Sequence, residues 1–314
     1  MSGDRQLGEA RQVANLLTRP LLVASNDRAP GNGGKRAVLF HVANQAFRIY
    51  FAIDKLRLCD TVLKYTRPWL DLVDQPGALS NRDMCTFFYY RGRFFLYQRQ
   101  LQSACADLAR AFALCPTWSP RNARTILIYL AAANIPLGRM PERALLREFS
   151  LERELGPLVE STRQGRFTHV LAALDAQRAW LLRHGIYLLL RDKLELVCWR
   201  NLARKTLYVA TDAKPQPAAG PPQLSLHALL ATAKVAFPDP LLDIDDVECV
   251  CATLIEQVCL SGFFVSPARV RLKALQGYLK AYVMHSMRLL VLQKAHPFGF
   301  PPVAAVYPPA QRAL

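Results

Sequence analysis

Apolar residues recur at intervals of three and four along most of the first 210 residues, which is the period of one face of an α-helix. Pro or Gly stands between most of these segments, so the pattern predicts a series of separate helices. No segment before residue 220 has the pattern of a sheet. The predicted helices are Val38–Leu58, Thr61–Leu72, Asp83–Tyr97, Leu101–Leu114, Arg121–Ile135, Glu142–Phe149 and His169–Leu182.

One pair of predicted helices carries a more specific pattern. Its residues fall on the offsets of the helix-turn-helix repeat called tetratricopeptide, in which small side chains let two antiparallel helices approach closely. An ordinary helical hairpin is the alternative, but the number of matches favours a solenoid of paired helices. The matching residues are Gly92, Phe95, Ala104, Leu108, Ala111 and Pro116.

Composition marks the ends of this solenoid, which we place at residues 37–211. Residues 1–36 contain the turn-rich run Asn26–Gly34, so we expect a flexible or loosely docked arm, with order beginning near Ala37. Residues 212–223 are rich in proline and form the predicted linker to the next region.

The region after the linker, residues 224–300, has a different pattern and precedes a tail at 301–314. Leu224–Ala236 and Asp243–Ile255 are amphipathic, and acids in the first turn of the second segment complement a helix dipole. Leu279–Val283 and Arg288–Leu292 predict two strands of a hairpin. Two helices followed by a hairpin form a winged helix. The expected fold is therefore an all-α, tetratricopeptide-like solenoid that ends in a small winged-helix subdomain.

Charge narrows the choice of partner. The chain has 40 Lys and Arg against 24 Asp and Glu, a net charge of +16, which attracts polyanions. Nucleic acid, an acidic protein and an anionic membrane surface all satisfy this condition. The longest apolar run is far shorter than the ~20 residues of a membrane span, so we expect no membrane insertion, and no secretion signal is recognisable.

The sequence offers little support for catalysis or for a cofactor. It contains no Walker phosphate loop, GxGxxG, GxSxG or HExxH motif, and its six histidines are isolated from one another. The eight cysteines lie scattered in apolar segments without a CxxC pair, so we interpret them as reduced core residues and expect no metal. We therefore predict a non-enzymatic protein without cofactors, although clusters that form only on folding stay open.

Several short segments resemble a known family: Leu39–Tyr50, Arg124–Leu130, Leu137–Pro141, Arg183–Ile186, Arg200–Leu202, Asp243–Glu248 and His296–Phe298. They look like the PCI domain of the proteasome lid, the signalosome and initiation factor three, in which a helical-repeat solenoid runs into a winged helix. They are most similar to the PCI subunit of the transcription-and-export complex at nuclear pores. The resemblance covers roughly residues 37–300.

The resemblance implies a scaffold or adaptor subunit of a nuclear, transcription-coupled mRNA export complex. Its partners would be a larger PCI-domain scaffold protein, a small acidic protein of the Sem/Dss type, and RNA or DNA bound without sequence specificity. It also implies a location in the nucleus, at nuclear pores, with some protein in the cytoplasm. The alternative is a structural PCI subunit associated with a signalosome-like assembly, without nucleic-acid binding.

One segment, Val258–Gln276, departs from the family pattern, which passes almost directly from Leu254-Ile255 to Gly277. Its 19 residues are a whole number of codons, valine codons begin with GT, and glutamine can be encoded by CAG, so a retained intron is one hypothesis. The alternative is a genuine basic loop. Transcript reads that always span this segment unspliced would exclude the intron.

Two groups of basic residues are the candidate nucleic-acid contacts. Acids crowd the start of the second helix of the winged helix and would repel phosphates, so we predict no sequence-specific recognition of a duplex. Contact with the nucleic-acid backbone remains possible through the basic residues. The alternative is that they form a solvated face or pair with the acids of the neighbouring helix. The candidates are Lys193, Arg200, Arg204 and Lys205 on the helix entering the winged helix, and Lys280, His285, Arg288 and Lys294 on the wing.

Overall fold

The computed structural model describes residues 16–27, 38–74, 80–210, 221–237, 239, 241–256, 279, 281–292, 300, 301 and 303. The chain divides into two units, Met1–Leu130 with Ala310–Leu314, and Ala131–Pro309. Helices dominate both units, and the described strands form one small sheet in the second. The segment Val258–Gln276 lies outside the described residues.

The described elements of the first unit are helical, and Leu101–Leu114 follows Asn81–Tyr97 after a connection of three residues. The predicted helix Leu101–Leu114 was correct at both ends, and the helix predicted from Asp83 begins two residues earlier, at Asn81. The predicted helix Val38–Leu58 was wrong after Ala52, where the α-helix ends before a separate 3-10 helix. The predicted helix Thr61–Leu72 was wrong after Thr66, where a 3-10 helix begins and Pro68 has no N–H to donate to the preceding turn. The elements are α1 (residues 16–25), α2 (Leu39–Ala52), α3 (Cys59–Thr66), α4 (Asn81–Tyr97), α5 (Leu101–Leu114), α6 (Pro120–Asn134, which enters the second unit), and 3-10 helices Leu56–Leu58 and Arg67–Asp74.

Helix α1 corrects the expectation that order begins near Ala37. Leu21 and Ala24 are buried, and the Trp69 indole Nε1 donates a hydrogen bond to the Ser25 carbonyl at 3.2 Å. The Ser25 hydroxyl in turn donates to the carbonyl of Tyr65 at 3.0 Å. The glycines after Asn26 exclude a helix only from that point on, and the short apolar helix precedes them.

A close approach of α4 and α5 explains the tetratricopeptide-like spacing. A Cβ atom at Gly92 would lie 2.6 Å from Cγ of Leu108, a distance that real Cβ contacts do not show. Ala104 and Ala111 on α5 are fully buried. Small side chains therefore set the distance between the two helices, as the sequence predicted.

A buried ion pair links the same two helices. Arg91 Nε donates to Asp107 Oδ2 and Arg91 Nη2 donates to Asp107 Oδ1, both at 2.6 Å, and each side chain is 7% exposed. The guanidinium carbon also lies 5.2 Å and 5.1 Å from the ring centres of Phe87 and Phe88. Burial raises the pKa of Asp107, and the hydrogen bonds from Arg91 oppose that rise.

The second unit begins within α6 and continues through helices that support the winged helix. Helix α8 was not predicted, because Gly156 and Pro157 interrupt its pattern. It nevertheless buries Leu155, Leu158 and Val159 on one face. The predicted helix His169–Leu182 is two helices divided at Gln177. The elements are α7 (Arg143–Glu148), α8 (Glu152–Gln164), α9 (Phe167–Ala176), α10 (Arg178–Arg183) and α11 (Tyr187–Ala210).

The winged helix has the predicted two helices and hairpin, with one strand more than expected. Strands β1 (Gln223–Ser225), β2 (Ala281–Met284) and β3 (Leu289–Leu292) form a three-stranded antiparallel sheet in the order β1-β3-β2, and Leu224 is paired with Leu290. The prediction that Leu224 begins the following helix was wrong, because a three-residue strand is too short to show alternation. The all-α solenoid with a winged-helix end is confirmed. The elements are β1 (Gln223–Ser225), α12 (Leu226–Ala236), α13 (Ile244–Glu256), β2 (Ala281–Met284), the 3-10 helix His285–Met287 and β3 (Leu289–Leu292).

We expect loss of one partner of the Arg91–Asp107 pair to lower the stability of the protein much more than replacement of both partners by apolar residues. Asp107→Ala should lower the free energy of unfolding by about 3–5 kcal/mol, because it leaves a buried cation without its carboxylate. The double variant Arg91→Met/Asp107→Leu should recover most of that loss. Urea unfolding followed by circular dichroism measures both. Glu152→Gln, which breaks an exposed pair with Arg147 at 2.8 Å, is the control and should leave the midpoint almost unchanged.

We also expect the winged helix to fold without Val258–Gln276. The backbone N–H of Leu279 donates to the carbonyl of Leu254 at 3.1 Å, so the chain on either side of the segment already meets. Of the 24 residues between Leu254 and Leu279, deletion of 19 leaves five, an ordinary loop length. The deletion variant should keep the helical circular dichroism and unfolding midpoint of the full chain. A molten or aggregated product would contradict this prediction.

Candidate nucleic-acid interface

Helix α11 carries half of the candidate basic residues and is itself anchored on its buried side. Its Trp199 ring stacks on Phe237 with centres 4.0 Å apart, and the Tyr187 hydroxyl donates to Asp175 Oδ1 at 2.9 Å. Both aromatic residues therefore serve the packing of the unit. Lys193 is half-buried, with its ammonium nitrogen 3.9 Å from Asp192 Oδ2.

Two of the α11 candidates, Arg204 and Lys205, are exposed. The Arg204 guanidinium carbon lies 5.5 Å from the ring centre of Tyr208, one turn further along the helix. An aromatic ring beneath a guanidinium restricts its orientation while leaving its N–H groups available at the edge. These two side chains can reach a phosphate backbone without rearrangement of α11.

Arg200 has a different environment from the one predicted. It is 5% exposed, and its Nη2 donates to the carbonyl of Pro301 at 2.7 Å, while Nη1 donates to Asn201 Oδ1 at 3.1 Å. The side chain therefore anchors the chain near Pro301 against α11. A strand lying along the outer surface of α11 would not meet this guanidinium.

On the wing, the two described candidates are engaged by acids of α13. Arg288 Nη1 lies 2.7 Å from Asp245 Oδ1 and 2.6 Å from Glu248 Oε2, and His285 Nδ1 lies 2.8 Å from Glu248 Oε1. The hydrogen bond to Asp245 is the main reason that the pKa of Arg288 is raised. These two residues therefore pair with acids of the neighbouring helix, which was the alternative to nucleic-acid contact in the sequence-based prediction. Lys280 and Lys294 lie outside the described residues.

Asp243, which precedes α13, and Asp246 in its first turn stabilise the start of that helix. Asp243 Oδ1 accepts a hydrogen bond from the backbone N–H of Asp246 at 2.8 Å, and Asp246 Oδ2 accepts one from the N–H of Asp243 at 3.0 Å. This reciprocal arrangement is a capping box. The bond from the Asp246 amide is the main cause of the lowered pKa of Asp243. Because Asp245 and Glu248 add two further carboxylates, this end of the helix would repel phosphate.

A cleft of about 640 Å³ opens beside α11, and sequence reasoning did not identify it. Its wall includes Arg200 and Arg204 together with Arg139, which follows α6, and Arg163, near the end of α8. Arg139 belongs to one of the segments that carried the family resemblance, but nothing in its spacing indicated that it would meet α11. Among the described residues that line the cleft, none is acidic.

A close backbone contact positions α8 against α11 at this cleft. Gly165 ends α8 with a positive φ of 74°, and a Cβ there would lie 2.8 Å from the backbone nitrogen of Leu202. Beside it, Asn201 Nδ2 donates to the carbonyl of Thr162 at 2.9 Å. Arg163 and Arg204 are therefore carried by two helices whose separation is fixed at the backbone.

Buried thiols are poor candidates for chemistry. Burial raises the pKa of Cys59, Cys198 and Cys251 to about 12 and that of Cys85 to about 11. A thiol with such a pKa is protonated at neutral pH and is a weak nucleophile. In the described part of the chain, no group of three or more His, Cys, Asp or Glu side chains is arranged to hold a metal ion. No helix of that part is long and apolar enough to cross a bilayer.

Comparison with known proteins connects this architecture to a family. The chain is 32% identical over 285 residues to a PCI domain-containing protein of Schizosaccharomyces pombe, an alignment that covers 89% of this chain and 58% of the relative. The chain is a homologue of PCI domain-containing proteins. PCI domain-containing protein 2 of Xenopus laevis is 30% identical over 286 residues, which are 90% of this chain and 62% of the relative.

The homology extends beyond animals and fungi. The Dictyostelium discoideum homologue of PCI domain-containing protein 2 is 27% identical over 282 residues, covering 88% of this chain and 57% of the relative. The chain thus spans about three-fifths of the length of these PCI relatives. No family model matches the chain. The names of the relatives support the assignment of this chain to a PCI-domain family. The helical solenoid and the winged-helix end agree with that assignment.

Substitution of alanine for Gly165, at the end of α8, and for Gly156, within α8, should change the free energy of unfolding in opposite directions. Gly165→Ala should lower the free energy of unfolding by about 1–3 kcal/mol, because Ala disfavours the left-handed conformation and its Cβ would collide with α11. Gly156→Ala lies within α8, where the nearest atom to a new Cβ is Glu152 Cγ at 3.4 Å, and should stabilise by about 0.5–1 kcal/mol. Thermal and urea unfolding of the two variants measure this contrast. Equal effects of the two substitutions would show that the α8–α11 spacing is not fixed at Gly165.

Proposed function

We propose that the protein is a non-enzymatic scaffold subunit that joins a larger PCI-domain protein through its winged-helix end. The observation that carries this proposal is the set of large apolar side chains exposed on the winged helix. Val235 and Leu241 are 84% and 86% exposed, and Tyr282 and Met287 are also exposed. Burial of these side chains against a partner would be favourable, because it removes their apolar surface from water. The homology to PCI-domain proteins supports a role as a subunit of a complex.

The finer proposal is an adaptor of a nuclear complex that couples transcription to mRNA export. In it, the winged-helix end contacts RNA or DNA through the phosphate backbone, without sequence specificity. The exposed Arg204 and Lys205 and the net charge of +16 support this part of the proposal. A small acidic protein of the Sem/Dss type is the third partner, and the site of action is the nucleus, at nuclear pores, with some protein in the cytoplasm.

A second function is favoured by the ion pairs on the wing. Arg288 and His285 are held by Asp245 and Glu248, which reduces the positive charge that the wing offers to a polyanion. A structural PCI subunit in a signalosome-like assembly needs protein contacts at this end and no nucleic acid. The two proposals share the docking role of the winged helix and differ in RNA binding.

Affinity purification from the cells of origin tests the docking role. The tagged chain should recover a larger PCI-domain protein, identified by mass spectrometry, and Leu241→Glu should reduce that recovery at least tenfold. Trp118→Glu is the matched control, since Trp118 is an equally exposed apolar residue at 81% exposure in the first unit. Equal recovery by wild type and Leu241→Glu would contradict docking through this end. Recovery of signalosome subunits without crosslinked RNA would favour the second function.

Binding of a fluorescent single-stranded RNA at several salt concentrations separates the two functions. The export proposal predicts binding that weakens steeply with salt, and Lys205→Gln should reduce the slope of log affinity against log salt by about 0.7. Glu248→Gln should strengthen binding, because it removes a carboxylate from Arg288 and His285. No salt-dependent binding by the wild-type chain would eliminate the export proposal in favour of the structural one.

A further inference from the structure

Ser150 lies in the turn between α7 and α8, and its neighbours in the sequence set it apart from the other hydroxyl residues of the chain. Arg147 stands three residues before it, and no other Ser or Thr of the sequence has Arg or Lys at that distance. Protein kinases with an acidic substrate groove select a serine by a basic residue at this spacing, because the charge pattern of the groove decides which substrate binds. The sequence around Ser150 therefore fits the substrate of such a kinase.

The structure leaves both residues of this motif accessible. Ser150 is exposed, and the side chain of Arg147 is 63% exposed. Ser150 has a φ of 54°, a left-handed conformation that is unfavourable for a residue other than glycine, so the turn is held in a conformation of raised energy.

A kinase binds its substrate as an extended segment, so the turn has to open first. Opening exposes Leu151, which is buried beside Ser150. It also unwinds the end of α7, a helix of six residues, and a helix of that length is too short to be stable alone. The motif therefore lies in a part of the second unit where local opening disturbs little helical structure.

Arginine side chains surround the hydroxyl group that would be modified. Ser150 lines a shallow cleft of about 460 Å³ together with Arg147, Glu152 and Arg153. Arg153 is exposed and forms no ion pair with another described residue. Glu152 is shared by two arginines, with its carboxylate oxygens 2.8 Å from Arg147 Nε and 3.1 Å from Arg143 Nε. Glu152 would therefore keep one arginine partner if Arg147 turned to another anion.

We propose that Ser150 is a phosphorylation site for a kinase that selects arginine three residues before serine, and that Arg147 and Arg153 then bind the phosphate. In the reaction, Ser150 Oγ attacks the terminal phosphorus of ATP, the bond from that phosphorus to the ADP oxygen breaks, and the hydroxyl proton passes to the kinase. The phosphate carries about two negative charges at neutral pH, which two guanidinium groups can balance and bind bidentately. Glu152 retains Arg143.

Phosphopeptide mass spectrometry of the full chain, purified from its own cells with phosphatases inhibited, tests the modification. Peptides that contain Ser150 should carry phosphate, and Arg147→Gln should lower the phosphorylated fraction about tenfold or more. Arg143→Gln is the matched control, because it removes the other partner of Glu152 and leaves the arginine that the kinase selects. It should keep the fraction within about twofold of wild type. Ser150 peptides without phosphate, or an equal loss in the two variants, would overturn the proposal.

Phosphorus NMR of the chain, phosphorylated in vitro by a kinase of this specificity, tests the binding of the phosphate. Nearby guanidinium groups favour the doubly charged form, so the phosphate should titrate at lower pH in the folded chain than in an unfolded peptide of the same sequence. Arg153→Gln should move the titration toward that of the peptide, whereas Arg163→Gln, which changes an exposed arginine at the other end of α8, should not.

Two results of the NMR experiment would contradict the proposal. Equal titration of the folded chain and the peptide would show that Arg147 and Arg153 do not bind the phosphate. A kinase that phosphorylates the peptide and not the full chain would show that the turn at Ser150 does not open. Neither result depends on whether the winged helix recruits a PCI partner or binds RNA.

Discussion

The spacing of paired helices in this protein depends on backbone approaches that leave no room for a side chain. Gly92 brings α4 within contact of Leu108, and Gly165 brings the end of α8 against the backbone of Leu202. Such approaches bring the neighbouring side chains of the two helices within reach of each other. The Arg91–Asp107 pair sits one residue from the first glycine, and Arg163 stands two residues before the second. The Arg91–Asp107 pair and Arg163 thus lie beside helix contacts that leave no room for a side chain larger than that of glycine.

The apolar period predicted helix α5 correctly and missed α8 and β1, whose local sequences do not favour the structure that they adopt. Helix α5 has regular spacing and no internal Gly or Pro, and its bounds were found without error. Helix α8 carries Gly156 and Pro157, which weaken its local preference, and it forms because Leu155 and Leu158 are buried by tertiary packing. Strand β1 is three residues long and acquires its conformation from hydrogen bonds to β3. Neither the burial of the α8 leucines nor the pairing of β1 with β3 can be recognised from the residues of those segments alone.

In the candidate site, the position of a basic residue on its helix could be predicted from the sequence nearby, but its interaction partners could not. A basic cluster on α11 was visible from spacing alone, and its exposed members, Arg204 and Lys205, lie where that spacing put them. What the other arginines do is set by residues far away in the chain: Arg200 by Pro301, and Arg288 by Glu248. A net charge of +16 is therefore a poor measure of the charge available to a ligand, because buried and paired cations count equally in that sum.

The hydrogen bond between Leu279 and Leu254 also bears on how the transcript of this protein can vary, because it joins the chain on either side of Val258–Gln276. With Val258–Gln276 present in the chain, Leu279 meets α13 at Leu254, and β2 pairs with β3 from Ala281 to Met284. If this segment is a retained intron, its removal from the transcript would shorten the connection between Leu254 and Leu279. Transcripts with and without these codons would then encode proteins that share this winged helix, and quality control that acts on misfolded chains would not distinguish the two products.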